Sequence, residues 1–105
     1  MDSIFHEIRL ERSRQDQKWG EQNHDPADWC TILGEEIGEV NKAAFEAKNL
    51  YKPWIEYRKE LVQSAAVIIA MIECFDRHYS VKNEALNKLC KARTFIDMHQ
   101  RKLHT

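Results

Sequence analysis

Two short acidic patterns carry the residues that could do chemistry. The first is Gly34-Glu35-Glu36-Ile37-Gly38-Glu39, and the second is Glu60-Leu61-Val62-Gln63. In a helix, a three-residue step puts Glu36 and Glu39 on one face, and it does the same for Glu60 and Gln63. Both pairs border dense apolar stripes, so they stand at the edge of the core and not on a fully solvated face. Clustered like charges are costly unless a cation or a base neutralises them. A hard divalent ion suits that role, since Mg²⁺ takes a few carboxylates together with water and phosphate oxygens. Gln63 would need partners for both its carbonyl oxygen and its amide once buried. A di-iron bundle would require Glu-x-x-His pairs. None occurs, because His78 is five residues from Glu73. The competing structural reading is a Glu-rich helix face paired with lysines and arginines in solvent.

The elements that must position these residues are helical. A first helix over about 3–17 has Ser3 as its N-cap and a weak apolar stripe of Ile4, Phe5 and Ile8. Lys18 to Pro26 is polar and reads as a loop. The second helix starts at Pro26 or Ala27, is capped by Asp25, and ends near Lys48–Asn49. Its stripe is Trp29, Leu33, Ile37, Val40 and Ala44. Pro53 opens a third helix over about 53–78. From Leu61 to Ile72 that helix is apolar nearly all round, which predicts a central element contacted on several sides. A fourth helix, about 81–102, has Val81, Ala85, Leu89, Ala92 and Ile96 as its stripe. Short connections imply antiparallel neighbours. If the second and third helices are antiparallel, their two acidic pairs can face each other across an oxygen-lined site.

Together these residues resemble the pattern of a known family. Glu35-Glu36-Ile37-Gly38-Glu39, followed by Glu60-Leu61-Val62-Gln63, resembles the E-E-x-x-E, spacer, E-x-x-D pattern of the MazG-like all-α nucleoside triphosphate pyrophosphohydrolases. That superfamily includes the dimeric dUTP and dCTP hydrolases. The resemblance covers roughly residues 10–95 and extends to the stretch Trp19-Gly20-Glu21-Gln22-Asn23-His24. It implies an all-α, four-helix bundle-like fold that is oligomeric, a homodimer or homotetramer, formed by one domain over 1–105. It implies Glu36, Glu39 and Glu60 as ligands of Mg²⁺ or Mn²⁺, with Gln63 at the fourth corner. Glu35 would assist, and Glu35 or Glu39 would take the proton from the attacking water. The departure is Gln63, where the pattern has Asp; an amide offers an oxygen without a charge. The implied reaction is hydrolysis of a nucleoside triphosphate to the monophosphate and pyrophosphate. The other reading is a non-catalytic helical oligomer that binds nucleotides or proteins.

Around a nucleotide, Trp19 either stacks on the base or packs at a helix end. Asn23 and His24 either touch base or ribose or cap the loop. Lys88 and Lys91, with Arg93, either reach the triphosphate or form a solvated basic face. Trp29 and Trp54 read as core or interface. No G-x-x-x-x-G-K-[ST] loop exists to cradle phosphates.

Composition narrows the remaining classes. The chain has 105 residues, enough for one compact domain with a modest core. Its 16 basic and 17 acidic residues do not create the positive field that nucleic-acid polymers require. The 3 glycines and 2 prolines argue against a strand-rich fold. Cys30, Cys74 and Cys90 form no C-x-x-C pair and read as buried thiols of a reducing, cytoplasmic compartment. Asp2, His6 and Glu7 interrupt any signal-like N-terminus. The run Ala65 to Ile72 is far short of the ~20 residues that span a bilayer.

Overall fold

The computed structural model describes residues 1–78 and Arg93. These residues form helices joined by short loops, α1 (Asp2–Trp19), α2 (Pro26–Asn49) and α3 (Trp54–His78). The fold is all-α over the described residues, with no strand among them. Contacts divide the chain into two units, Met1–Phe75 and Asp76–Thr105. The candidate site belongs entirely to the first. Of the second, the end of α3 and the exposed, helical Arg93 are described. The expected fourth helix, with Lys88, Lys91 and Cys90, lies outside the described residues.

Local chemistry sets the helix limits. α2 begins where expected: the Asp25 carboxylate accepts from the Asp28 backbone N–H at 2.9 Å, and Pro26 follows it in the first turn. Proline loses nothing there, because the first helical N–H groups have no intrahelical partner. That hydrogen bond from Asp28 is the leading cause that holds the Asp25 carboxyl below its ordinary range. α1 differs from expectation. Its N-cap is Met1 with no side-chain hydrogen bond, and Ser3 lies inside the helix. The Met1 carbonyl itself accepts from Ile4 and Phe5, each at 3.1 Å, so a backbone carbonyl closes the first turn.

α2 ends in a tight reversal. Leu50 and Lys52 both donate their backbone N–H to the Glu46 carbonyl, at 2.9 and 3.3 Å, and Tyr51 between them has φ 57°. That left-handed conformation is one a glycine adopts more easily than tyrosine. A Lys52–Glu46 ion pair at 3.1 Å spans the same turn.

The core is small and lies between α2 and α3. Trp29, Val67 and Cys74 form its centre, with Ile32, Leu33, Ala70 and Met71 packed against them. Trp29, near the start of α2, therefore meets the later half of α3, which makes the two helices antiparallel. α1 buries no residue fully. It is fastened to α3 by polar contacts, the earliest on α1 being to the earliest on α3. Glu7 accepts a two-pronged hydrogen bond from Arg58 at 2.8 Å for each prong. Farther along, Gln15 donates to the Gln63 carbonyl at 3.5 Å, and Arg12 bonds Glu73 at 3.0 Å. α1 and α3 thus run in the same sense.

The third helix is less enclosed than its sequence suggested. Ser64, Ala66, Val67 and Cys74 are buried, but Leu61, Ile68, Ile72 and Phe75 are 42–56% exposed. α2 covers one side of α3, while an apolar stripe about a quarter turn away, Leu61, Ile68, Ile72 and Phe75, faces outward. The cysteines also divide: Cys74 is buried and Cys30 is exposed. Cys30 follows the buried Trp29 by one residue, and a 100° step turns it away from the core. Trp29 is core, as expected, whereas Trp54 is exposed and rests edge-on against Tyr57 at 5.8 Å between ring centres.

Candidate acidic site

The antiparallel pairing carries the acidic residues toward one another. Two turns beyond Trp29 on α2 comes Glu36, on the same face as Leu33 and Val40. Glu36 is half-buried, as are Glu60 and Gln63 of α3, while Glu35 and Glu39 are exposed. The Glu36 carboxyl is held above its ordinary range. Burial is the main cause, followed by the negative charges of Glu60, Glu39, Glu11 and Glu35 in that order. Each cause penalises the ionised form. So the fold gathers the field of the expected glutamates around Glu36, and the largest charge contribution crosses from α3.

Glu11 was not expected in this group. It comes from α1, is half-buried, and is hydrogen-bonded to Arg14 at 2.6 and 2.9 Å. Nothing in its own neighbourhood of sequence marks it, because its relation to Glu36 depends on how α1 lies on α3. Ser64 was also missed. It is 5% exposed, and its hydroxyl oxygen is buried without a hydrogen-bond partner. It lies one turn beyond Glu60 and one turn before Val67, on the α3 face that meets α2. A buried polar atom without a partner is costly, so this one asks for an explanation.

The expected residues Glu36, Glu39, Glu60 and Gln63 carry oxygen atoms, the donor type that hard dications prefer. The carboxylates are near enough to perturb Glu36 but do not form a finished cage. Among the described residues, no three His, Cys, Asp or Glu side chains are grouped so as to hold an ion. A charge-balancing ligand would therefore have to draw them inward.

Beside the acidic group, between α1 and α3, lies an open groove of about 560 Å³. Glu11 and Gln63 line it together with Arg14, Arg58 and Lys59, and Ile55 and Val62 supply apolar surface. Arg58 is engaged by Glu7, and Arg14 by Glu11. Three cations within reach of an acidic cluster give a site that could meet phosphate oxygens on one side and a metal on the other.

The residues expected around the base fall in two places. Asn23 and His24 sit in the loop before α2, docked on the core. The Cys74 thiol lies 3.5 Å from the His24 carbonyl and 4.0 Å from the Asn23 side-chain oxygen. The His24 ring meets Trp29 edge-on at 4.8 Å. Trp29 is 3% exposed, and its indole nitrogen has no hydrogen-bond partner. His24 thus rests on Trp29, which is itself seven helical residues, or about 10 Å along α2, from Glu36. Trp19, at the end of α1, is 63% exposed with Lys18 over its ring at 4.9 Å. The structure thus brings Glu36, Glu39, Glu60 and Glu35 into one field, keeps Asn23 and His24 together at the end of the core, and leaves Trp19 outside it. No helix among the described residues is long and apolar enough to cross a membrane. Set against family models, curated proteins and solved structures, the chain matches none.

Proposed function

We propose that this chain is a metal-dependent nucleoside triphosphate pyrophosphohydrolase. The observation that carries the reading is Glu36. A half-buried carboxyl that feels the negative charge of four other carboxylates is unfavourable when ionised, and a dication would relieve it. The resemblance of Glu35–Glu39 and Glu60–Gln63 to the MazG-like pattern supplies the reaction class. Glu36, Glu39 and Glu60 would hold Mg²⁺ or Mn²⁺, with the Gln63 amide oxygen beside them. When bound, the ion offsets charge on phosphate oxygens and acidifies a bound water.

The chain's own groups do the rest. Glu39 or Glu35, both exposed and free to meet solvent, accepts the proton of the attacking water. The water oxygen forms a bond to the α-phosphorus, the bond from that phosphorus to the bridging oxygen breaks, and pyrophosphate leaves. Arg14, Arg58 and Lys59 line the neighbouring groove on the side where a polyphosphate tail would lie. In this proposal the enzyme is a cytoplasmic homo-oligomer, assembled through the outward apolar stripe of α3.

The test is a pyrophosphate-release screen with Mg²⁺ across the ribo- and deoxyribonucleoside triphosphates and their common oxidised and methylated forms. At least one should be cleaved, and Glu39→Ala should abolish cleavage. A clean negative across the panel removes the enzymatic reading. One observation favours a second reading, a non-catalytic binding module: Gln63 is neutral and the carboxylates form no closed cage. Titration calorimetry with Mn²⁺ and a non-hydrolysable triphosphate separates the two, since a protein-binding module shows no metal-dependent nucleotide binding.

A further inference from the structure

The groove between α1 and α3 holds more cations than its own carboxylates neutralise. Arg14, Arg58 and Lys59 line it with Glu7 and Glu11, an excess of one positive charge. The pairing inside it is uneven. Arg58 forks onto Glu7 with both prongs at 2.8 Å, and Arg14 forks onto Glu11 at 2.9 and 2.6 Å. Lys59 is exposed and has no hydrogen bond or ion pair among the described residues. We propose that this groove binds a chain of phosphate groups without any metal ion, with Lys59 as its unpaired anchor and with Glu7 and Glu11 as resident competitors of the ligand. The ligand class rests on the triphosphate reading above. What is added is a metal-independent site whose affinity is set by two carboxylates of the chain itself.

The pair geometry supports this. A guanidinium fork meets two oxygens of a carboxylate or of a phosphate in the same way. The forks of Arg14 and Arg58 are therefore already arranged around an oxyanion, and a phosphate group has only to replace the carboxylate. That exchange is easy where the resident pair is exposed, because exposed ion pairs contribute little. Arg58 and Glu7 are 48% and 42% exposed, and Arg14 is 55% exposed. Glu11 is 13% exposed, so its charge is less screened and it is the stronger competitor.

The placement of the cations selects the ligand. Arg14 stands on the α1 wall of the groove, and Arg58 and Lys59 stand on the α3 wall. Donors on two walls suit an anion with several phosphate groups better than a single one. The volume of about 560 Å³ is that of a small-molecule site. The two resident pairs also differ in what their exchange disturbs. Glu7–Arg58 joins α1 to α3, whereas Glu11–Arg14 lies within α1, so opening the second undoes no ion pair between the helices.

Titration calorimetry of the full chain in chelator at low ionic strength, with inorganic tripolyphosphate as the probe, tests this directly. Wild type should bind it, less tightly as salt rises, and should bind orthophosphate far more weakly. Lys59→Gln should weaken binding by about 3- to 10-fold, the loss of one exposed charge-assisted contact. Lys59→Arg should restore it. Lys42→Gln removes an exposed lysine of α2 outside the groove and should have little effect. Glu11→Gln should tighten binding several-fold, and adding Arg14→Gln should cancel that gain, a coupling that a double-mutant cycle isolates. Circular dichroism melts check that each variant folds. Nucleoside triphosphates should displace tripolyphosphate; binding that none of them displaces overturns the assignment. So does a wild-type chain that binds no tripolyphosphate, a Lys59→Gln effect equal to that of Lys42→Gln, or a Glu11→Gln variant no tighter than wild type. Each of these outcomes leaves Mg²⁺-dependent pyrophosphate release untouched, whereas tripolyphosphate binding without any turnover in that screen removes the enzymatic reading and keeps the groove.

Discussion

Replacing Ser64 by alanine should stabilise the metal-free protein. The Ser64 hydroxyl is buried and unpartnered, in a residue 5% exposed. Leaving such a group unsatisfied costs about 1–3 kcal/mol. Alanine keeps the β-carbon, removes the oxygen, and adds about 0.5 kcal/mol of helix propensity in the middle of α3. Against this stands the small void left by one oxygen, which costs well under ~1 kcal/mol. The balance is a gain of about 1–2 kcal/mol. At about 4–8 °C per kcal/mol for a domain of this size, the unfolding midpoint should rise by roughly 5–15 °C. Differential scanning calorimetry in chelator reads this directly. The same substitution should weaken Mn²⁺ binding, because it removes the oxygen that a cation's shell would engage. A gain in stability with a loss in binding is the signature of a group retained for a ligand. If Ser64→Ala lowers the midpoint in chelator, the hydroxyl already has a satisfied structural role and the reasoning fails.

Three further outcomes follow from the same structure. Glu36 has its folded-state pKa raised, so its contribution favours the fold at pH below the ordinary carboxylate value and is lost as pH rises through the raised value. Glu36→Gln should therefore unfold at a higher temperature than wild type at pH 7 in chelator and at nearly the same temperature at pH 4; an advantage that persists at pH 4 would assign it to something other than charge. Tyr51 is 94% exposed and holds φ 57°, so Tyr51→Gly should stabilise the chain by about 1 kcal/mol in urea melts. A loss there would mean that the ring packs against something after all. Ile72, 56% exposed on the outward stripe of α3, should report self-association: Ile72→Glu should shift sedimentation toward the monomer with helicity unchanged, and an unaltered sedimentation profile would place the contact elsewhere.

Much of the scaffold was legible in the sequence because its signals are local. Asp25-Pro26 marks a helix start by capping chemistry within four residues, and the structure uses it. The stripe through Trp29, Leu33 and Val40 needs only the helical repeat. The acidic field around Glu36 was legible for the same reason, once α2 and α3 were paired antiparallel. What was not legible depends on tertiary placement. Ser3 looks like a cap, but the helix starts two residues earlier and Met1 takes that position through its backbone carbonyl alone. Glu11 looks like one of many charges on a polar helix, and only the packing of α1 lets its charge be felt at Glu36. Ser64 reads as a small residue in an apolar run, and its orphaned hydroxyl exists only once α2 covers it. His24 looked available for a nucleotide because a histidine in a polar loop has no partner in the sequence; folded, it rests on Trp29. Leu61 to Ile72 suggested an enclosed helix because hydrophobicity reports a preference for burial without naming the partner.

The central claim is that the acidic group of α2 and α3 binds a dication and hydrolyses a nucleoside triphosphate between its α and β phosphates. Phosphorus NMR of the products tests it most directly, with wild type and Glu36→Gln side by side, on whichever triphosphate is turned over. Wild type should yield monophosphate and pyrophosphate in equal amounts, only with Mg²⁺ or Mn²⁺ present, and Glu36→Gln should yield no product. Orthophosphate as the first product, turnover in chelator, or full activity in Glu36→Gln would contradict it.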